Sequence, residues 1–253
     1  MMINKNSYSV ILPTLNEVGH INSLISDISN IFIKFDLKFE IIIVDDNSTD
    51  GTLVEIEKIK NLQIVIQQRI NKKKSLVDSL NEGIKIARYN KIIWLDADYS
   101  HPPELIKKFI NMNDKDDLDV IVGSRFLKES KRYYEDKQQK PATIDVMSIF
   151  LNKVCNFFLF DDFKDYTSGY ICIDKNILKN LKLKGYYGDY FIVFISKLKT
   201  INKKIIEIPF TEKERASGVS KTTGNKIDFI LKCFFYFFAI IKSTIIKHSK
   251  FLF

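Results

Sequence analysis

Apolar residues fall along this chain in two rhythms. Short unbroken runs, YSVIL (8–12), FEIIIV (39–44), LQIVI (62–66), KIIWL (91–95) and LDVIV (118–122), have the length and β-branched content of strands buried on both faces. Between them, over 17–35, 49–60, 74–88 and 103–112, apolar positions recur at helical spacing. Strand and helix in alternation, with strands that lack a polar face, predict an α/β chain with a mostly parallel, Rossmann-like sheet flanked by helices. After Gly123 the rhythm changes. A charged loop (127–142), an amphipathic helix (143–158), strands near 169–173 and over 204–210, and a polar loop (211–224) are expected.

In open parallel sheets ligands gather at the carboxyl ends of the strands, so the residues just beyond each run carry the candidate chemistry. The first run ends in LPTLNE, where Pro13 is expected to stop the strand, Asn16 to cap the next helix and Glu17 to sit in its first turn. The second ends in VDDNSTDGT, which places Asp45 and Asp46 at the same edge. Two acidic strand ends facing one crevice suit ribose hydroxyls and base N–H groups. The fourth ends in LDADYSHPPE. In extended geometry Asp96 and Asp98 point to one side, roughly 6 to 7 Å apart. Their repulsion, about 2.4 kcal/mol at an effective dielectric near 20, calls for a counter-charge. A divalent cation supplies one and bridges phosphates.

Composition narrows the choice. With 253 residues, 45% hydrophobic and 28% charged, the chain suits one sizeable domain and argues against disorder. Cys155, Cys172 and Cys233 are far apart, as are His20, His101 and His248, so neither a zinc site nor a disulfide framework is expected and a reduced, cytosolic setting is. A carboxylate-held metal would be a hard ion, Mg²⁺ or Mn²⁺. Half of the net charge of +8 lies in residues 226–253, beside Phe and Ile, which points away from nucleic acid. The amino-terminal apolar run is too short for a signal peptide.

Six segments, LPTLNE, VDDNSTDGT, LDADYSHPPE, GSRF, DYTSGY and ERASGVSK, occur in the order and spacing of family 2 glycosyltransferases of the GT-A fold. The chain most resembles the dolichyl-phosphate mannose synthase branch, over about residues 7–224. The resemblance implies a GT-A nucleotide-diphospho-sugar transferase domain over 1–225. It implies a donor of the GDP-mannose or UDP-glucose type, Mg²⁺ or Mn²⁺, and inverting transfer of mannose or glucose to a polyprenyl (dolichyl or undecaprenyl) phosphate at the cytosolic membrane face. Pro13, Glu17 and Asp46 would contact the nucleoside, with Asp45 close by. Asp96, Ala97 and Asp98 would line the donor, and Asp96, Asp98 and Ser100 would hold the metal. Arg125 and Ser148 would meet the acceptor phosphate, and Arg215 and Lys221 would close over the diphosphate.

A phosphate monoester is largely anionic at neutral pH, so such an acceptor needs no strong base. A glycan or lipid-sugar hydroxyl acceptor, the alternative, needs one, and Asp165 in DYTSGY is the first candidate; a loop-capping role explains it as well. Two features depart from the branch pattern. Ser75 and Val77 stand where glycines are common, leaving Gly83, and Ile144 stands where an Arg one turn before Ser148 is common. They are the best support for a non-catalytic nucleotide- or membrane-binding scaffold. In the tail, FILKCFFYFFAIIKSTII (229–246) would make a helix about 27 Å long, against a hydrocarbon core of ~30 Å. Lys232 and Lys242 interrupt it. Asp228, Lys232, Ala239, Lys242, Ser243 and Lys250 share one stripe of the wheel, which favours a helix lying on the membrane surface over residues 226–253. Packing on the domain or on a membrane-anchoring partner protein is the alternative.

Overall fold

The computed structural model describes residues 7–59, 63–113, 118–132, 143–213 and 226–249. Among them the strands β1 (Tyr8–Thr14), β2 (Phe39–Asp45), β3 (Ile64–Gln68), β4 (Lys91–Trp94), β5 (Val120–Ser124), β6 (Ile171–Asp174) and β7 (Ile205–Pro209) form one sheet ordered β3-β2-β1-β4-β6-β5-β7. Only β6 runs antiparallel to its neighbours β4 and β5. The helices are α1 (Ile21–Lys34), α2 (Thr52–Glu57), α3 (Leu76–Ile86), α4 (Leu105–Asn113), α5 (Thr143–Phe158), α6 (Lys175–Leu178), α7 (Asp189–Thr200) and α8 (Lys226–Ser249).

Alternating strand residues feed two cores, one on each face. Val10, Leu12, Ile41, Ile43, Ile93 and Ile121 pack with α1 and α4. Ile11, Ile42, Val44, Ile92, Trp94 and Val122 pack with α3, α5, α7 and α8. Helices cover both faces, which is why these strands show no polar alternation. Gly83 lets α3 press its backbone onto β1: a Cβ there would lie 2.5 Å from Ile11 Cγ2.

Several expectations are corrected. Pro13 does not stop β1, which stays paired with β2 through Thr14↔Asp45. Beyond Ile11 the strand has lost its β4 partner, so it is bonded on one side only and a missing N–H is tolerated. α1 begins at Ile21 rather than near Glu17, because Asn16 and Gly19 take left-handed backbone (φ 56° and 91°) and hold 15–20 as a loop. α7 replaces a stretch with no assigned element, and it is buried almost all round.

The largest correction concerns α8. Part of its polar stripe faces inward: Lys232, Ala239 and Ser243 are buried, while Lys242 is exposed. Lys232 Nζ lies 4.6 Å from the Tyr187 ring centroid, and Phe235 stacks on Tyr186 at 4.1 Å. Near the other end Lys247 donates to the carbonyls of Phe158 and Leu159, tying α8 to the end of α5. Ile230, Leu231, Phe234, Phe237, Phe238, Ile241 and Ile245 face outward. On α5, Val146, Phe150 and Phe157 form a second exposed apolar stripe. Among the described residues no helix is long and apolar enough to cross a membrane.

Candidate active site

The carboxyl ends of β1, β2 and β4 bring the acidic motifs to one edge. The loops after β1 and β2 are laced together: Asn16 N–H donates to Ser48 Oγ at 2.9 Å, Thr49 N–H to Asn16 Oδ1 at 2.9 Å, and Glu17 N–H to Thr52 Oγ1 at 2.8 Å. Glu17 is buried, 3.0 Å from His20 Nε2. Pro13, half-buried, forms the floor beside them in register with Val44.

Asp45 and Asp46 differ in role. Asp45 accepts from Ser48 N–H at 2.9 Å and from its hydroxyl, so it caps its own turn. Asp46 is clamped between Arg69 Nη1 at 2.6 Å and the Ser75 N–H. Burial raises its pKa above the usual carboxylate range, a push that the Ser75 N–H, Arg69 and Lys74 only partly offset and that Asp45 reinforces. Ser75, at one of the positions without glycine, is thus the N-cap of α3: its Oγ accepts from Asp78 N–H at 3.2 Å. Arg69 was not foreseen. It is buried, also donates to the carbonyls of Lys73 and Ser75, and lies 3.3 Å from Glu82. Its signal was its place, directly after the end of β3.

Beyond β4, Asp96 is half-buried, and Ala97 and Asp98 are buried. The Asp96 N–H donates to His101 Nδ1 at 3.0 Å, so that nitrogen serves as an acceptor. His101 stacks on Tyr170 at 4.9 Å, so the scattered histidine is a strut for the acidic turn. Asp98 Oδ1 accepts from Ser100 N–H at 3.0 Å and from Ser100 Oγ at 2.6 Å, and Tyr99 between them sits at φ 66°. Ser100 therefore lies against Asp98 where the third metal ligand was expected. Among the described residues no group of three or more His, Cys, Asp or Glu side chains could by itself hold an ion. Two carboxylates and a hydroxyl fit a hard cation that draws the rest of its shell from a diphosphate and water.

A second centre lies after β5. Arg125 and Asp165 form a buried fork: Nε to Oδ2 and Nη2 to Oδ1, each 2.9 Å, with the Arg125 N–H on Oδ2 at 2.9 Å. Burial works to raise the Asp165 pKa, but Arg125 outweighs it and holds the carboxyl below its ordinary value. This geometry does not suit the base role considered for Asp165, whose oxygens are already engaged and whose surface is wholly covered. It serves to position Arg125. Arg125 Nη2 also donates to Thr167 Oγ1 at 2.9 Å, and Ser148 Oγ lies 2.9 Å from that hydroxyl, so Arg125 and Ser148 are one link apart. At the start of α5, Asp145 receives Arg132 at 2.7 Å. Arg215 and Lys221 lie outside the described residues. From the segment after β7, Lys213 N–H reaches the Ser100 carbonyl at 3.3 Å and ties this centre to the acidic turn.

Known proteins match both the sequence and the shape. The chain is 33% identical over 223 residues to a dolichol-phosphate mannosyltransferase of Pyrococcus furiosus, covering 87% of this chain and 60% of that protein. It is 24% identical to a dodecaprenyl-phosphate galacturonate synthase of Rhizobium johnstonii, covering 84% and 61%. The chain thus spans about three fifths of the length of these two relatives. In shape it matches glucosyl-3-phosphoglycerate synthase of Mycobacterium tuberculosis, crystallised with Mn²⁺, UDP-glucose and phosphoglyceric acid. That match has a TM-score of 0.70 at 13% identity and covers 94% of this chain and 80% of the other, which shows the GT-A fold. The sequence profile described as glycosyl transferase family 2 matches residues 9–182, and the chain belongs to that family.

Proposed function

We propose that this chain is an inverting, metal-dependent glycosyltransferase that moves a hexose, mannose or glucose, from a nucleotide-diphosphate sugar to a polyprenyl phosphate at the cytosolic face of a membrane. The observation that carries the reading is the pairing of two centres on one sheet edge. One is acidic, built by Asp45, Asp46, Asp96 and Asp98. The other presents Arg125 beside Thr167 and Ser148. The first suits a nucleotide diphosphate with its metal, the second an anionic acceptor.

Pro13, Glu17, Asp45 and Asp46 would receive the nucleoside, Asp96, Ala97 and Asp98 the diphosphate, and Asp96, Asp98 and Ser100 the cation. A bound Mg²⁺ or Mn²⁺ would stabilise charge on the departing diphosphate. The protein's own contribution is alignment. His101 fixes the backbone of Asp96, Ser100 fixes one oxygen of Asp98, and Asp165 fixes the guanidinium plane of Arg125. Arg215 and Lys221 would close over the phosphates. An acceptor phosphate brings its own nucleophilic oxygen, so the engaged state of His20, His101 and Asp165 is no obstacle. Among the described residues these three candidates for a base are all engaged, which favours an acceptor that needs none.

The outward apolar faces of α8 and α5 would rest on the membrane surface and bring the site to a lipid-linked acceptor. Sedimentation with lipid vesicles tests this: Phe234→Ser with Phe238→Ser should release the protein, and undiminished binding would refute it. Thermal unfolding tests the donor half. A sugar nucleotide at 100 times its dissociation constant adds about 2.7 kcal/mol, or roughly 5–11 °C for a chain of this size. The shift is expected with a GDP- or UDP-sugar when Mn²⁺ or Mg²⁺ is present. No shift with any such donor would overturn the reading.

A further inference from the structure

A cluster of buried charge lies where the loop after β5, the start of α5 and the segment after β7 meet. Glu212 spreads its carboxylate over two guanidiniums: Oε2 accepts from Arg132 Nε at 2.6 Å, and Oε1 from Arg125 Nη1 at 3.3 Å. Both arginines lie over the Phe126 ring, 5.8 and 5.4 Å from its centroid for Arg125 and Arg132. Each is anchored independently of Glu212, Arg125 by Asp165 and Arg132 by Asp145. The pair of forks therefore persists when Glu212 withdraws.

One oxygen on each of two forks is also how a tetrahedral phosphate bridges a pair of arginines. We propose that Glu212 is an internal anion that fills the Arg125–Arg132 pair until the acceptor's phosphate displaces it, and that Arg132 is a phosphate-binding residue alongside Arg125. This rests on the phosphate-acceptor reading above and deepens it. Among the described residues Asp145, Asp165 and Glu212 meet Arg125 and Arg132, so these five side chains carry one negative charge in excess. A phosphate dianion entering beside Glu212 would meet that excess; taking its place lessens the repulsion.

Two consequences follow for the reaction. A neutral sugar hydroxyl cannot replace a carboxylate on two guanidiniums, so the device selects acceptors that carry a phosphate. Glu212 also neighbours Lys213, whose N–H holds the Ser100 carbonyl next to Asp98. That contact is made by backbone and is independent of the Glu212 side chain, so displacing the carboxylate leaves the donor's acidic turn in place.

The test titrates the whole chain with inorganic phosphate at constant ionic strength, read by thermal unfolding. Glu212→Gln is expected to melt below wild type without phosphate, because two arginines lose a shared counter-charge. It should then bind phosphate at least tenfold more tightly than wild type. Adding Arg132→Gln should abolish that gain. Glu212→Asp, which keeps the charge but retracts it by one methylene, should tighten phosphate binding less, and it serves where Glu212→Gln does not fold. A phosphate response equal to wild type in these Glu212 variants, or a gain that survives loss of Arg132, overturns the proposal. In transfer assays with polyprenyl phosphate, Glu212→Gln should lower the acceptor KM and leave the donor KM unchanged. If wild type transfers to no polyprenyl phosphate while the titration behaves as stated, the acceptor reading falls and the phosphate site stands. Transfer without the titration difference gives the reverse.

Discussion

Replacing Arg69 by Met removes the cation that Asp46 holds in the interior. The Arg69 side chain is 2% exposed and that of Asp46 8%, with 2.6 Å between Nη1 and Oδ1. Breaking a buried pair from one side costs about 3–5 kcal/mol, because the remaining charge is left uncompensated. The Ser75 N–H still reaches Asp46 Oδ2, which places the cost near the lower end, about 3 kcal/mol. In a chain of this length that is a fall of roughly 6–12 °C in Tm. The pH dependence has a definite sign. Burial already holds the Asp46 pKa above its ordinary value, and losing Arg69 pushes it further up. A carboxyl whose folded pKa is raised gains stability as pH falls through that pKa, since the protonated form needs no cation. The deficit of Arg69→Met should therefore be greatest at neutral pH and shrink toward acid. Thermal unfolding of wild type, Arg69→Met, Asp46→Asn and the double variant across that range measures it, and the double should recover part of the loss. A deficit under about 1 kcal/mol, one independent of pH, or a coupling near zero would refute the argument.

Gly83→Ala drives a methyl to 2.5 Å from Ile11 Cγ2 and should cost about 1–3 kcal/mol by overpacking; equal stability would mean that α3 lifts freely off β1. His101→Phe keeps an aromatic ring against Tyr170 but removes the acceptor of the Asp96 N–H. It should cost about 1–3 kcal/mol and weaken donor binding without changing acceptor binding. Unchanged donor affinity, measured by calorimetry, would remove His101 from the donor site's support.

The strands and their acidic ends were legible because each signal is local: an apolar run, then a carboxylate pair. Six short segments in register added the family. What stayed hidden depends on distant partners. Arg69 stands in QQRINKKK, where it looks like one more solvated cation, and its partner Asp46 is 23 residues away. Applying the strand-end rule to β3 as well would have singled it out. His101 and His20 were set aside as scattered, although the sheet brings each to the site edge. α7 is buried almost all round, so its apolar pattern has no period to read. In α8 the wheel showed the polar stripe, but packing divides it. Lys232 turns inward over Tyr187, whereas Lys242, Phe234, Phe237 and Phe238 remain outside. A wheel separates two faces but does not say which one meets the protein.

The most direct test of the central claim incubates wild type and Asp98→Asn with radiolabelled GDP-mannose or UDP-glucose, polyprenyl phosphate and Mn²⁺, and follows the label. Transfer by wild type into a chloroform-soluble product that mild acid releases, with loss of transfer in Asp98→Asn despite retained folding, is the predicted result. Label that never enters lipid with any donor, or equal transfer by Asp98→Asn, would contradict it.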